Sequence, residues 1–175
     1  MKKLFIVKIG GNIIDDEKQL ASFLNDFAFF TDYKLLIHGG GKIATDISKQ
    51  LGIEANMVDG RRITDADTLK VVQMVYGGLI NKNIVAQLQT RKCNAIGLTG
   101  ADANIITANK RPVKEVDYGF VGDVEEVNAK NISALLDSEF TSCDCSAYTR
   151  WIGANIEYQC RYYGFGNFRC HGKIE

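Results

Sequence analysis

Residues 34–42 have the sequence Lys-Leu-Leu-Ile-His-Gly-Gly-Gly-Lys, and this stretch decides the fold. A short apolar run without polar alternation is typical of a strand that is buried on both faces of a parallel sheet. The glycines end the strand, and Ile43, Ile47 and Leu51 then recur at helical spacing. The stretch therefore predicts a strand, a tight glycine turn and a helix in direct succession.

The same succession stands at the start of the chain, where an apolar run over residues 3–9 meets Gly10-Gly11-Asn12 and a helical pattern. The longest helical pattern begins at Asp65, which has the character of a helix N-cap, and ends near Arg91. The periodicity predicts further strands over 95–98, 105–108 and 119–127, a hairpin over 54–63, and helices over 16–30 and 131–136. This alternation predicts an α/β fold with an open, mostly parallel sheet and helices on both faces.

Charge and hydropathy exclude several classes of protein. The 175 residues contain 21 basic and 21 acidic side chains, so we expect no nucleic-acid partner. No apolar run reaches membrane-spanning length, and Lys8 with the glycines after it interrupts the only segment that resembles a signal peptide. We expect a cytoplasmic protein without membrane contact.

The two glycine turns are candidate anion sites. In an open α/β sheet, ligands bind beyond the carboxyl ends of the strands, where glycine lets backbone N–H groups approach a phosphate or carboxylate. The alternative, that the glycines serve only to make tight turns, has equal weight on spacing alone. Neither turn has the Walker-type Gly-x-x-x-x-Gly-Lys-Ser/Thr pattern.

Three kinds of polar side chain stand near these turns. Lys8 interrupts an apolar strand, which favours a position in the ligand crevice, although an edge-strand lysine could also extend to water. Arg61-Arg62 could grip a carboxylate or could be an ordinary solvated pair. His38 could act as a base, but a histidine at a strand end is more often structural, and we favour that interpretation.

Five segments together resemble the amino acid kinase family, and within it the kinases that act on N-acetyl-L-glutamate. The resemblance covers residues 3–140 and rests on the order of the segments at residues 7–12, 37–41, 59–64, 97–102 and 117–122. It implies ATP-dependent phosphorylation, with Mg²⁺, of the side-chain carboxylate of N-acetyl-L-glutamate in arginine biosynthesis. It also implies a homodimer in the intact protein, with the long helix from Asp65 as a contact.

The resemblance assigns roles to individual residues. Lys8 would bridge the transferred phosphoryl group, and the remaining site residues divide between ATP phosphates (Gly10, Gly11) and substrate (Gly40, Gly41, Arg62). It implies no protein metal ligand. A carboxylate is already ionised at neutral pH, so the absence of an obvious general base does not argue against a kinase.

The chain changes character after Phe140. Residues 141–175 contain neither Leu nor Val but hold four of the five cysteines, and no helix or strand period fits them. We therefore divide the chain into a substrate-binding half, residues 1–140, and an aberrant tail, residues 141–175, outside that core. If codons for the tail are shifted by one base, residues 155–162 permit Ile-Leu-Asn-Thr-Asn-Ala-Asp-Thr, which resembles a motif of the family. We hypothesise that one extra nucleotide near codon 141 puts the tail out of frame.

Two alternatives stay open. The chain could be a non-catalytic fragment that at most binds an acylglutamate, and the substrate's acyl group could be acetyl or succinyl. Less favoured is a zinc-binding tail, because Cys143, Cys145, Cys160, Cys170 and His171 lack the usual paired spacing.

Overall fold

Helices and strands alternate along most of the chain. The structure is a computed structural model and describes residues 3–54, 56–58, 60–145, 149–151 and 154–158. Its strands are β1 (Leu4–Ile9), β2 (Tyr33–His38), β3 (Met57–Val58), β4 (Arg61–Arg62), β5 (Ala95–Leu98), β6 (Ile106–Lys110), β7 (Val121–Val127), β8 (Thr141–Cys145), β9 (Thr149–Trp151) and β10 (Ala154–Tyr158). Its helices are α1 (Gly11–Ile14), α2 (Glu17–Phe29), α3 (Gly41–Gln50), α4 (Ala66–Val72), α5 (Asn81–Thr90) and α6 (Ala129–Asp137).

Four parallel strands form the main sheet, in the order β1-β2-β8-β5. The chain moves from β1 through β2 to β5 in one direction and returns to β8, so right-handed crossovers place α2 to α5 on one face and α6 on the other. The predicted α/β class with a mostly parallel sheet is confirmed. The four strands β10-β7-β6-β9 form a small closed barrel that the sequence did not predict.

The core lies between the sheet and helices α2, α4 and α5. Leu24 of α2, Leu36 of β2, and Ile84 and Leu88 of α5 are all fully buried there. Asp16 caps α2 by accepting hydrogen bonds from the amides of Lys18 and Gln19, as an N-cap acid should. Helix α2 has the predicted helical spacing, and its bounds, Glu17–Phe29, agree with the predicted residues 16–30 to within one residue at each end.

The long helix differs from its prediction in one respect. Asp65 caps it as expected, its carboxylate accepting from the Thr68 amide at 2.8 Å. Between α4 and α5, however, the segment Gln73–Ile80 is π-helical. A π-helical turn widens the helix by about one residue per turn and often marks a functional site.

The expectation that the chain leaves the core after Phe140 is wrong for residues 141–145. These residues form β8, which pairs with β2 on one side and β5 on the other, and all five are buried. The pairing partners impose this position, since Ala95 aligns with Thr141 and Leu98 with Asp144. Cys143 and Cys145 are thus core residues; Cys160, Cys170 and His171 lie outside the described residues.

Candidate functional site

The carboxyl ends of the four parallel strands form one edge of the sheet, and the glycine turns lie along it. Ile9 aligns with His38 in the register of β1 and β2, so Gly10 and Gly39 start their turns at the same level. The loop after β5 is closed by Asp102, whose carboxylate accepts from the Thr99 amide at 2.7 Å and hydroxyl at 2.8 Å. The two predicted glycine turns and the loop after β5 therefore lie along the same edge of the sheet.

The second glycine turn is closely packed from behind by the π-helical segment. A Cβ atom at Gly40 would collide with Ile80 Cδ1 and lie 3.2 Å from the ring of Tyr76. Gly41 is the first residue of α3, so the amides of that first turn have no acceptor within the helix. Together with the positive end of the helix dipole, these amides can bind a carboxylate.

Arg62 joins this turn from β4. Its side chain is 7% exposed, and Nη2 donates to the Gly41 carbonyl at 2.8 Å and to Thr45 Oγ1 at 2.5 Å. Its other terminal nitrogen, Nη1, is buried and has no hydrogen-bond partner among the described residues. A guanidinium nitrogen without an acceptor is costly in a buried place, so this atom is suited to bind an incoming anion.

The β3–β4 hairpin that carries Arg62 is anchored on a second hairpin. The Thr64 amide donates to the Tyr118 carbonyl at 3.0 Å, and the Phe120 amide donates to the Thr64 carbonyl at 2.7 Å. Gly119 has φ +71° and leaves no room for a Cβ beside the Thr64 carbonyl. Arg61 turns away from Arg62 and lies over the Tyr118 ring, 5.9 Å from its centroid. The adjacent arginines thus have different surroundings, which spacing alone did not distinguish.

Lys8, Gly10 and Gly11 stand at the end of β1. Lys8 is half-buried and aligns with Ile37 of β2. Gly10 is the N-cap of α1, and a Cβ there would meet no described atom within 4 Å, whereas one at Gly11 would lie 3.3 Å from Asp15 Oδ2. The space above Gly10 is therefore open to a ligand. No recorded hydrogen bond or ion pair within the described ranges joins Lys8 to the Gly40, Gly41 and Arg62 group.

His38 lies inside the protein and is fully buried. Burial lowers its pKa to about 4, only partly offset by the hydrogen bond to the Gly39 carbonyl. Its Nε2 faces Asn81, a fully buried residue that the sequence analysis missed. The signal was present, since Asn81 falls on the apolar helix stripe that continues through Ile84 and Leu88.

Asp144 brings a carboxyl group into the sheet close to this edge. Burial raises its pKa to about 7; the negative charge of Asp102 acts in the same direction, and hydrogen bonds from Ser142 oppose it. In the described part of the chain, no cluster of three or more His, Cys, Asp or Glu side chains is arranged to hold a metal ion. The helices of the described residues lack the length and hydrophobicity of a membrane-spanning segment.

Comparison with known proteins identifies the family to which the chain is similar. The model of the amino acid kinase family matches residues 3–143. The acetylglutamate kinase of Cytophaga hutchinsonii is 66% identical over 142 residues, which are 81% of this chain and 54% of that protein. The acetylglutamate kinase of Parabacteroides distasonis is 62% identical over 136 residues, 78% of this chain and 53% of that protein. The chain thus spans about half the length of these curated relatives.

Solved structures of distant sequence share the fold. The smu.665 protein of Streptococcus mutans superimposes with a TM-score of 0.74 at 21% identity, covering 90% of this chain and 64% of that one. N-acetylglutamate synthase from Neisseria gonorrhoeae, complexed with coenzyme A and N-acetyl-glutamate, gives 0.73 at 17% identity, covering 90% and 36%. At these identities the likeness concerns the fold alone.

Proposed function

The chain belongs to the amino acid kinase family, and from that premise we propose that it carries the substrate-binding half of an acetylglutamate kinase. The whole protein would transfer phosphate from ATP to the side-chain carboxylate of N-acetyl-L-glutamate, in arginine biosynthesis in the cytoplasm. The observation that carries the proposal is the buried Nη1 of Arg62, which lies beside the glycine turn at Gly40 and Gly41 and has no hydrogen-bond partner in the part of the chain that the structure describes.

Arg62 and the second glycine turn would hold the two ends of the substrate. Arg62 is fixed by Gly41 and Thr45, so Nη1 can donate to one carboxylate of N-acetyl-L-glutamate without further ordering of the side chain. The amides of Gly40 and Gly41 would orient the carboxylate that is phosphorylated. Because that carboxylate is already an anion at neutral pH, no residue needs to remove a proton from it.

The first glycine turn would receive ATP. The open space above Gly10 admits phosphate oxygens, and Gly11 begins the short helix beyond it. Lys8, two residues before Gly10, would neutralise negative charge on the phosphoryl group while it is transferred. Mg²⁺ would add positive charge at the ATP phosphates, whose oxygens usually supply much of its coordination.

Binding of N-acetyl-L-glutamate to this chain, measured by NMR titration, tests the substrate site. Arg62→Ala should weaken binding about 10-fold or more, because one charge-assisted hydrogen bond accounts for roughly that factor. Arg61→Ala is the matched control and should change the dissociation constant less than about 2-fold, since the Arg61 guanidinium lies over the Tyr118 ring instead. Equal effects of the two variants would contradict the assignment. N-succinyl-L-glutamate in the same titration distinguishes the two acyl groups.

A second candidate is that this 175-residue chain binds but does not catalyse. It spans about half the length of its relatives, and the family match ends at residue 143. A coupled assay of ADP release from the pure chain separates the two candidates, and turnover above background would refute the fragment interpretation. Zinc content measured on the same sample tests the less favoured zinc-binding tail.

We also propose that residues 141–175 are out of frame. Asp144 supports this, because a carboxyl group in the middle of a parallel sheet departs from the apolar composition of such strands. Resequencing the DNA across codons 135–175 decides the matter. A shifted open frame encoding Asn-Thr-Asn-Ala-Asp is the expected result, and bases that forbid that frame would make the tail genuine.

The intact protein would be a homodimer that uses the long helix. Met74 and Leu79 on its π-helical segment are each more than half exposed, which is unusual for large apolar side chains on one short segment. Light scattering on the full-length kinase should give twice the monomer mass, and Met74→Lys with Leu79→Lys should halve it. A monomer before substitution would contradict this proposal.

A further inference from the structure

A buried hydrogen-bonded chain connects α5 to the second glycine turn. His38 Nδ1 lies 3.0 Å from the Gly39 carbonyl oxygen, and His38 Nε2 lies 3.1 Å from Asn81 Nδ2. The same Asn81 nitrogen donates to the Cys143 carbonyl at 2.9 Å. Both side chains are fully buried, so water does not compete for these bonds.

The two carbonyl groups determine the direction of every bond in this chain. A carbonyl oxygen can only accept, so the Asn81 atom facing Cys143 is the amide nitrogen and the His38 atom facing Gly39 carries its hydrogen. The second Asn81 hydrogen then points to Nε2, which must be unprotonated. If the Asn81 amide were reversed, its oxygen would face the Cys143 carbonyl and two acceptors would lie 2.9 Å apart. If the imidazole were charged, the N–H at Nε2 would face the Asn81 N–H and two donors would meet. The neutral Nδ1–H tautomer is the one that satisfies both carbonyls and both ring nitrogens, while Asn81 Oδ1 has no hydrogen-bond partner among the described residues.

Asn81 is held in place by the backbone around it. It is the first residue of α5 after the π-helical segment, and its Oδ1 lies so close to Gly97 that no Cβ would fit there. Its neighbour Ile80 packs against Gly40 in the same way. The junction of the π-helical segment with α5 thus contacts β2, β5, β8 and the second glycine turn together.

Holding the Gly39 carbonyl also orients the next amide. A trans peptide is planar, and its C=O and N–H groups point in opposite directions. When His38 holds the Gly39 carbonyl inside the protein, the Gly40 N–H of the same peptide points away from the core. Gly40 is one of the proposed substrate donors, so the relay acts on the binding site without touching the ligand.

We propose that Asn81 is a positioning residue for the substrate turn: it fixes the His38 tautomer that holds the Gly39 carbonyl and thereby aims the Gly40 amide at the substrate carboxylate. This inference rests on the proposed function for the role of the turn. The relay itself rests on the hydrogen bonds alone, and the two can be tested separately.

Nitrogen-15 NMR of the histidine rings in this chain tests the relay directly. At pH 7 His38 should show a protonated Nδ1 and an unprotonated Nε2, with the His38→Gln variant used to assign its signals. Asn81→Asp places an acceptor opposite Nε2 and should put a hydrogen on that nitrogen, which is unprotonated in the wild-type chain. Asn81→Ala removes the donor without adding charge and should give a mixture of tautomers. A wild-type ring protonated at Nε2, or a mixture, would overturn the inference without any variant.

Titration with N-acetyl-L-glutamate tests the consequence for binding. Asn81→Asp should weaken binding about 10-fold and move the amide signals of Gly40 and Gly41, because one donor loses its orientation. Asn83→Asp makes the same change at an exposed position on α5 and should leave both unchanged. If the tautomer switches and affinity does not fall, Asn81 does not position the turn. If the wild-type chain binds no probe while the tautomer is as expected, the proposed function fails and the relay stands.

Discussion

Strands β2 and β8 lie side by side inside the sheet, yet they bury polar groups in different ways. β2 buries Lys34, whose ammonium donates to the carbonyls of Phe27, Ala28 and Phe30 at 2.8, 2.9 and 2.8 Å. β8 buries Asp144, whose carboxylate accepts from the Ser142 hydroxyl of the same strand at 3.0 Å. A buried charge is tolerated where backbone groups with no other partner, such as the carbonyls at the end of α2, surround it. We expect β2 to stabilise the sheet and β8 to weaken it.

The largest expected difference between the strands concerns their apolar contacts. Leu36 and Cys143 align in the sheet and are both fully buried. Leu36→Ala should lower the free energy of unfolding by about 2–5 kcal/mol, because it leaves a cavity in the main core. Cys143→Ala removes one sulfur atom and should cost less. Urea unfolding followed by circular dichroism measures both, and equal losses would mean that β8 carries as much of the core as β2.

Asp144 should destabilise the chain at neutral and alkaline pH. Its pKa is raised to about 7 in the folded protein, above the ordinary value of 3.8, so stability falls as pH rises between these values. Asp144→Asn should therefore raise the free energy of unfolding by about 4 kcal/mol at pH 8 and by little at pH 3.5. Asp46→Asn, on the exposed side of α3, is the matched control. The same gain at both pH values would point to packing instead of charge.

His38 of β2 should show the opposite pH dependence. Its pKa is lowered to about 4 from 6.5, so the stability it contributes is present above pH 6.5 and is lost as pH falls toward 4. Between pH 7 and 5 the wild-type chain should lose about 2 kcal/mol more than His38→Gln does. Comparing urea unfolding curves of the two chains at both pH values removes contributions that they share. A difference that does not change with pH would contradict the burial of a neutral imidazole.

The smallest expected effect concerns the lysine of β2. Lys34→Met keeps the apolar stem but removes the donor to three carbonyls at the end of α2, and should cost about 1 kcal/mol. Lys42→Met, an exposed lysine of α3, serves as the control. Hydrogen exchange at the last turn of α2 should accelerate in the first variant only. Unchanged exchange there would mean that solvent caps the helix equally well.

The contrast between β2 and β8 also explains how far the sequence could be interpreted. The apolar run and glycines around β2 predict a strand and a turn. The resemblance to the kinase family assigned Gly40, Gly41 and Arg62 to one substrate site. β8 shows no apolar pattern in the sequence. It is buried because β2 and β5 pair with it on either side. The π-helical segment was not predicted, because α-helical and π-helical spacings cannot be distinguished over eight residues. The apolar helix stripe could have indicated that Asn81 is buried, but its hydrogen-bond partners come from two other strands and no local pattern reveals them.

The strand order also determines when the sheet can be completed while the chain is being synthesised. β2 and β5 are not neighbours, and the strand that joins them, β8, is the last of the sheet to be made. At about 5–20 residues per second, β8 follows β5 after roughly 2–10 s. Throughout that interval the nascent chain presents two unpaired apolar strand edges, each able to pair with another nascent chain. The rate of translation, and any chaperone that covers those edges, would thus decide what fraction of the chains forms the native sheet.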